Sequence, residues 1–260
     1  MQRAFVASAL IGVVCSLVGV FVVLKGLAFI GAGTAHAAFT GVALGFLIGV
    51  SPFFMSVVFG LSTVWITAIL ETKVKMKPDI SLGIFYTFTM ALAIFFIGLM
   101  PTYNPEVLGY LFGSILSVTS FDLKTILALS LVILSCLALF FKEFHFISFD
   151  QEMAEASGIP AKILFFLLLN LISLSIVISL KAVGAILVLA LVVIPAASAM
   201  QWATHIRSMM LGSAVIGVLA SWAGLFLSYR FDLPSGATIV IFLTAVFALS
   251  AIFSPKRKRM

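Results

Sequence analysis

The chain has 260 residues, of which 63% are hydrophobic and only 9% are charged, and its mean hydropathy is +1.30. A soluble domain carries about 25% charged residues, so this composition excludes a soluble protein and predicts one whose surface faces lipid. The net charge of +6 does not indicate nucleic-acid binding, because the basic residues lie in loops between apolar segments and at positions 256–259.

Nine apolar segments have about the 20 residues that a helix needs to cross a membrane. The first has no small-residue cleavage site followed by a polar chain, which favours a spanning helix over a signal peptide. The second is short and rich in glycine, so the sequence predicts eight or nine spans in one all-α transmembrane domain, residues 1–260. The segments cover residues 4–24, 34–50, 52–70, 79–100, 121–141, 162–180, 183–201, 208–229 and 236–253. Residues 105–117 are apolar but too short to span, and predict a re-entrant or interfacial helix.

The distribution of Lys and Arg predicts the orientation in the membrane. With the basic loop at residues 71–79 placed in the cytoplasm, alternation of nine spans puts eleven basic residues inside and four outside. The positive-inside rule favours this arrangement, which has the N-terminus outside. If one of the first two segments does not cross, eight spans remain and the N-terminus moves inside.

Small residues recur in two segments at spacings used for helix packing. Gly41, Gly45 and Gly49 form a double GxxxG pattern in the second segment, where neighbouring helices can approach closely. A gating role for this face is the alternative to tight packing. Pro195 interrupts the seventh segment and predicts a kink.

The sequence lacks the motifs that mark several classes of enzyme and transporter. No phosphate-binding GxxxxGK[ST] loop, HExxH zinc motif or Gly-x-Ser-x-Gly elbow is found, so the chain is not predicted to be an enzyme or to hydrolyse ATP alone. All nine Asp and Glu residues lie in loops or at span ends, whereas an ion-coupled carrier usually needs an acid within the membrane. Transport by this chain would therefore need a partner or a downhill gradient.

His36 is the only ionisable residue between Lys25 and Glu71. An ionisable side chain in a membrane is costly, so it indicates function by default. Imidazole is a common ligand of zinc and its first-row neighbours. The alternative is a packing histidine hydrogen-bonded to a carbonyl of a neighbouring helix.

The loop after the fifth span predicts a short acidic helix on the cytoplasmic face, at residues 149–157. Ser148 with Gln151 fits a capping box, and Gly158 followed by Pro160 ends the helix. So short a helix is marginal alone in water, which favours docking in a partner protein, although packing against its own domain is the alternative.

Four motifs in order make the chain resemble the permease subunits of zinc/manganese ABC importers, the ZnuB/MntB-like family. Residues 24–37 match a Leu-Arg-Gly-Leu-Ala run that ends in Ser-His-Ala, and residues 183–197 match a Val-Gly-Ala-Ile-Leu-Val run that ends in Ile-Pro-Ala-Ala. Residues 232–240 match the closing Asp-Leu-Pro-Ser-Gly-Ala-Thr-Ile-Val. The cytoplasmic Phe-Asp-x-Glu-x-Ala-x-x-x-Gly motif is matched by Phe149, Asp150, Glu152, Ala154 and Gly158.

The resemblance implies a permease similar in fold to that of the cobalamin importer, in the cytoplasmic membrane. Two copies would form the channel, two ATPase subunits would bind ATP below it, and an extracytoplasmic metal-binding protein would deliver the ion. No permanently bound cofactor is implied, only the transported metal. The short cytoplasmic helix would be the coupling helix that enters the ATPase.

The translocation path in the resembled family includes an Asp and a His from the second segment. His36 matches the His, but Ala32 occupies the Asp position. Loss of the carboxylate removes an oxygen ligand and shifts the expected metal preference of the path from manganese toward zinc. Iron is a third candidate for the transported metal. Thr34 is the nearest polar candidate to compensate. A stand-alone channel or carrier, and a membrane scaffold without transport, remain the competing interpretations.

Overall fold

The computed structural model describes residues 2–76, 78–102, 104–113, 115 and 118–255. Lys77 and the basic residues 256–259, which the predicted orientation uses, lie outside this part of the chain. Within it the architecture is helical throughout, and a π-helical turn at Leu70–Val74 extends the third helix. The α-helices are α1 (Gln2–Leu24), α2 (Ala28–Ile48), α3 (Pro52–Ile69), α4 (Pro78–Gly98), α5 (Pro105–Phe112), α6 (Ser120–Leu139), α7 (Phe141–Phe149), α8 (Gln151–Ala156), α9 (Ala161–Met200), α10 (Ile206–Phe231) and α11 (Ser235–Ile252).

Eight of these helices are long and apolar enough to cross a membrane, counting only described residues. The longest, α9, has 40 residues and would measure about 60 Å if straight. Its backbone leaves the helical conformation at Gly184, with φ 79° and ψ 162°. A bilayer core is about 30 Å thick, so an unbent α9 would not fit one crossing.

The first half of α9, residues 161–183, runs antiparallel to α1. Near the end of α1, the Lys25 ammonium lies 5.3 Å from the centre of the Phe165 ring. In the middle of α1, the Cys15 sulfur lies 3.4 Å from the Ser179 hydroxyl. Later residues of α1 therefore meet earlier residues of this half.

The second half of α9, residues 185–200, runs parallel to α1. Gly19 of α1 lies directly against the backbone of Val192, and Val20 packs in one cluster with Ala196 and Ala199. The two halves are thus antiparallel to each other, and α9 is a hairpin that crosses twice. With each half of α9 counted as one crossing, the described helices provide nine candidate spans, which agrees with the nine predicted segments.

The sharp break in α9 lies at Gly184 and not at Pro195. Pro195 lies inside the second half of α9 with a helical backbone, so the predicted bend at the proline stays a prediction, separate from the break at Gly184. Only glycine readily adopts the φ of residue 184. The backbone of Gly113, at the end of α5, packs against Val183 and Gly184, so the hairpin tip also holds the short helix in place.

Two predicted boundaries differ from the structure. The second span begins at Ala28 rather than at residue 34, because the small residues that open it lower the apparent hydropathy but pack well inside the protein. The short helix α5 ends at Phe112, where Gly113 takes a φ of 73°. The prediction extended to residue 117, and residues 114, 116 and 117 lie outside the described part.

The centre of the bundle is formed by α1, α2 and α9. In their spanning stretches 67%, 72% and 78% of the residues are buried, against 17% to 33% in the other spans. Helix α2 packs on α3, α4 and α9, while α1 packs on α9 and α10. The second segment, which carries His36, therefore lies at the centre and not at the edge.

Candidate functional site

His36 lies half-buried on the side of α2 that packs on α4. Its Nδ1 is 2.9 Å from the carbonyl oxygen of Ala32, one turn earlier. A carbonyl oxygen only accepts, so Nδ1 carries the proton and donates it. In the neutral ring the lone pair is then on Nε2, for which the described residues provide no hydrogen-bond donor. This is the tautomer in which a histidine binds a metal ion through Nε2.

Helix α4 supplies the neighbours of His36. The Tyr86 ring meets the imidazole edge to face, with centres 4.7 Å apart, and Phe29 meets Tyr86 at 6.0 Å. One turn further along, the Thr40 hydroxyl is 2.6 Å from the carbonyl oxygen of Thr89, which ties α2 to α4. The imidazole is therefore held at a helix–helix contact and keeps one open side.

Thr34 does not share this surface with His36. Its side chain is fully buried, and its hydroxyl has no hydrogen-bond partner among the residues that the structure describes. Residues two positions apart on a helix point in nearly opposite directions. Ala32 does share the half-buried stripe with His36, one turn away. The position that carries an acid in the resembled family therefore faces the same space as His36, and here it presents only a methyl group.

The glycines of α2 serve two different purposes. Gly41 lies against the Met55 backbone, and Gly45 lies against Pro52, so both permit close packing of α3. Gly49 instead ends α2 in the left-handed conformation, with φ 72° and open space around it. The predicted close packing is present at the first two positions only.

The described residues contain no group of three or more His, Cys, Asp or Glu side chains that could hold a metal ion. A single copy thus offers one imidazole rather than a closed set of ligands. This arrangement suits transient contact with an ion better than storage of one.

The segment that joins the end of α7 to the short helix α8 is anchored by one face. Ala154 is fully buried, while Phe149 and Met153 are 69% and 61% exposed. The Asp150 carboxylate accepts a hydrogen bond of 2.9 Å from the Met153 amide, so Asp150 caps the helix. The predicted cap was wrong, because the Ser148 hydroxyl donates to the Phe144 carbonyl instead.

The end of α8 follows the prediction. Gly158 has a φ of 84°, and the amide of Ile159 donates to the carbonyl of Ala154 at 3.1 Å. This is the hydrogen-bond pattern of a glycine-terminated helix. The acidic Glu152 stays exposed on the outer side.

Sequence reasoning missed an ion pair at the opposite end of the bundle. The Lys181 ammonium lies 2.7 Å from the Asp122 carboxylate, which also accepts hydrogen bonds from the amide and hydroxyl of Thr119. The Thr119 hydroxyl in turn caps α6 by accepting the Asp122 amide. Only the Thr-x-x-Asp spacing of the cap was readable in the sequence, because Asp122 and Lys181 are 59 positions apart. The pair lines a cavity of about 380 Å³ with Tyr110, whose burial raises the pKa of its phenol while Lys181 opposes the shift.

The profile of the family described as the ABC 3 transport family matches residues 1–254. The chain belongs to the ABC 3 transport family. The manganese transport system membrane protein MntC of Halalkalibacterium halodurans is 34% identical over 257 residues, which are 99% of this chain and 88% of that protein. The manganese import system permease protein ScaB of Streptococcus gordonii is 32% identical over 258 residues, 99% of this chain and 92% of that protein.

Among solved structures, PsaBC from Streptococcus pneumoniae in complex with Fab superposes with a TM-score of 0.88. It is 33% identical and covers 99% of this chain and 92% of that one. The predicted resemblance to ABC permeases and the all-α polytopic fold are confirmed. This ABC 3 family member is a multi-pass protein of the cell membrane.

Proposed function

We propose that this ABC 3 family member conducts a divalent transition metal ion into the cell as the permease of an ATP-driven importer, with manganese as the first candidate. The observation that carries the proposal is the His36 imidazole, whose Nε2 lone pair is open within the membrane-spanning part of α2. The names of MntC and ScaB support manganese. Among hypotheses of other classes, a stand-alone carrier is disfavoured by the absence of an acid in mid-span.

The path of the ion would lie between two copies of this chain. The stripe of Ala32 and His36 is half-exposed in one copy, and an ion facing two copies would meet two imidazoles. Transient binding is sufficient, since conduction requires that the ion leave. Because position 32 lacks a carboxylate, ligand preference alone favours zinc over manganese, so zinc and iron are tested in the same experiment. Thr34 would reach the path only if α2 turned during transport.

Coupling to ATP would pass through α8. Met153 of α8 and Phe149, the last residue of α7, expose apolar side chains beside charged ones outside the spans, which suits a groove in an ATPase subunit. The anchoring of Ala154 would transmit motion of that groove to α9. An extracytoplasmic metal-binding protein would dock at the opposite membrane face.

Metal uptake in a strain lacking this gene tests the proposal directly. Radioactive manganese, zinc and iron are offered separately to cells that carry the wild type, His36→Ala or Asn170→Ala. Removal of a direct ligand should lower uptake of the transported metal about tenfold or more. Asn170 is the matched control, because its polar side chain lies in a span but bonds Trp65 and Phe166 between α3 and α9.

The competing hypotheses give different results in the same cells. Full uptake with His36→Ala, at equal protein levels, contradicts the role of His36. Unchanged contents of all three metals without the gene would favour a scaffold. Uptake that survives loss of ATP hydrolysis by the partner would indicate a channel or carrier.

A further inference from the structure

A second cavity lies at the other end of the bundle, where α7 meets the start of α10. It has a volume of about 390 Å³, enough for a small polar group. Helix α7 follows the inner end of α6, and α10 follows the inner end of α9, so the cavity opens at the cytoplasmic surface. We call it the basic pocket; it is lined by Phe141, Lys142, His145, Phe149, Thr204, His205, Ile206 and Arg207.

The charges of the basic pocket are all of one sign. Lys142 and Arg207 line it, and no carboxylate does. Neither cation takes part in an ion pair within the described residues, whose two salt bridges join Lys162 to Glu155 and Lys181 to Asp122. Two unpaired cations repel a metal ion, so the two histidines there are poorly placed as metal ligands. The pocket is suited to an anion.

Aromatic contacts hold the polar groups of the pocket in place. The His145 ring stacks on Phe141 with an interplanar angle of 8° and meets Phe149 edge-on. The Arg207 guanidinium lies 6.0 Å from the centre of the Phe141 ring. The Ser208 hydroxyl donates to the His205 carbonyl at 2.7 Å and accepts the His205 amide, which fixes the backbone that carries His205. The hydrogen-bond donors are thus preformed around one space.

The helices that carry the lining residues expose apolar side chains close to them in the chain. Leu139 ends α6 just before Phe141, and Leu211 lies one turn beyond Arg207 on α10; they are 77% and 71% exposed. The exposed Trp202 sits in the adjoining loop, and Trp is typical of the membrane–water interface. Cationic donors in a pocket whose helices also expose leucines match a molecule with an anionic head and apolar chains. The inner leaflet supplies such lipids.

We propose that the basic pocket binds the phosphate headgroup of an anionic phospholipid of the inner leaflet. Phe149 lines the pocket. It is also the last residue of α7 and directly precedes Asp150, which caps α8. A bound headgroup therefore steadies the segment that leads into α8. Lipid binding by the pocket does not depend on which metal the protein transports.

Native mass spectrometry of the full-length protein in detergent tests this proposal with phosphatidylglycerol and, separately, phosphatidylcholine. The variant Lys142→Gln with Arg207→Gln removes two charges at the pocket. Lys124→Gln with Arg230→Gln removes two charges near the outer ends of α6 and α10 and is the matched control. Each basic residue near an anionic surface strengthens binding about fivefold, so the pocket variant should bind phosphatidylglycerol at least about tenfold more weakly than the control.

Three results would overturn the proposal. Equal weakening in both double variants would indicate general charge attraction, and equal binding of phosphatidylcholine would remove the need for an anionic head. Displacement of phosphatidylglycerol by millimolar inorganic phosphate would identify a free-phosphate site. Size-exclusion profiles establish that each variant is folded. If the double variant at the pocket does not fold, the single variant Lys142→Gln replaces it.

Discussion

The central helices α1, α2 and α9 and the peripheral helices α4, α6 and α11 are similarly apolar in sequence but differ in what surrounds them. Glycine shows the difference best. In the centre, Gly19 touches the backbone of Val192, whereas on α4 a side chain added at Gly83 would meet nothing within 4 Å. In lipid, hydropathy therefore identifies a span but not its place in the bundle, and close backbone approach marks the centre.

The largest effect should come from one methyl group placed at the centre. In Gly19→Ala the new carbon would overlap the Val192 carbonyl oxygen, which belongs to backbone and cannot turn away. We expect a loss of about 3 kcal/mol or more of stability, or no folded protein. In Gly83→Ala the same change should stay within about 1 kcal/mol of the wild type. The fraction of protein that remains monodisperse after heating in detergent measures both.

Similar heat resistance of these two variants would contradict the division into centre and periphery. It would mean that α1 and the second half of α9 can separate at no cost. Membrane levels of both variants provide an independent comparison, because misfolded membrane proteins are degraded in cells.

A smaller effect separates steric overlap from backbone strain. Gly184 and Gly26 both have positive φ, 79° and 68°, but only Gly184 is packed, against Phe112 and Gly113. Gly26→Ala should cost only about 1–2 kcal/mol, from the strained backbone. Gly184→Ala should cost clearly more, because its methyl group also pushes α5 from the hairpin tip. Midpoints of thermal unfolding in detergent give the two costs, and equal midpoints would show that α5 is not held at Gly184.

The smallest effect is expected for the ion pair that joins peripheral α6 to central α9. The side chains of Lys181 and Asp122 are 46% and 13% exposed, so water screens their attraction. A double-mutant cycle with Asp122→Ala and Lys181→Ala should give a coupling of about 1 kcal/mol or less. A coupling above about 3 kcal/mol would instead assign the pair a central role in stability, as expected for buried pairs. Because Asp122 also caps α6 through Thr119, Asp122→Ala alone should cost more than Lys181→Ala.

Much of the fold could be predicted because the bilayer imposes simple rules on a sequence. The sequence predicted two spans, residues 162–180 and 183–201, on either side of Lys181, where the structure has the two halves of α9. Gly158 marked the end of α8, since only glycine suits that turn. The break at Gly184 could not be predicted from the sequence, because it depends on packing against Gly113, 71 positions away. Pro195 could be recognised locally, since proline breaks the hydrogen bonding of its own helix.

The properties of the candidate site also divide into those that could be predicted from the sequence and those that required the structure. The amino-acid sequence was sufficient to show that His36 is an isolated ionisable residue in an apolar segment, that Phe149, Asp150, Glu152, Ala154 and Gly158 lie in one acidic segment between spans, and which family the chain resembles. These are local properties of composition and spacing. The three-dimensional packing was needed to show that His36 presents Nε2 beside Tyr86, that Thr34 points elsewhere, and that Lys142 and Arg207 meet in one pocket. Such facts depend on helix rotation and on contacts between distant segments, which side-chain packing fixes and hydropathy does not encode.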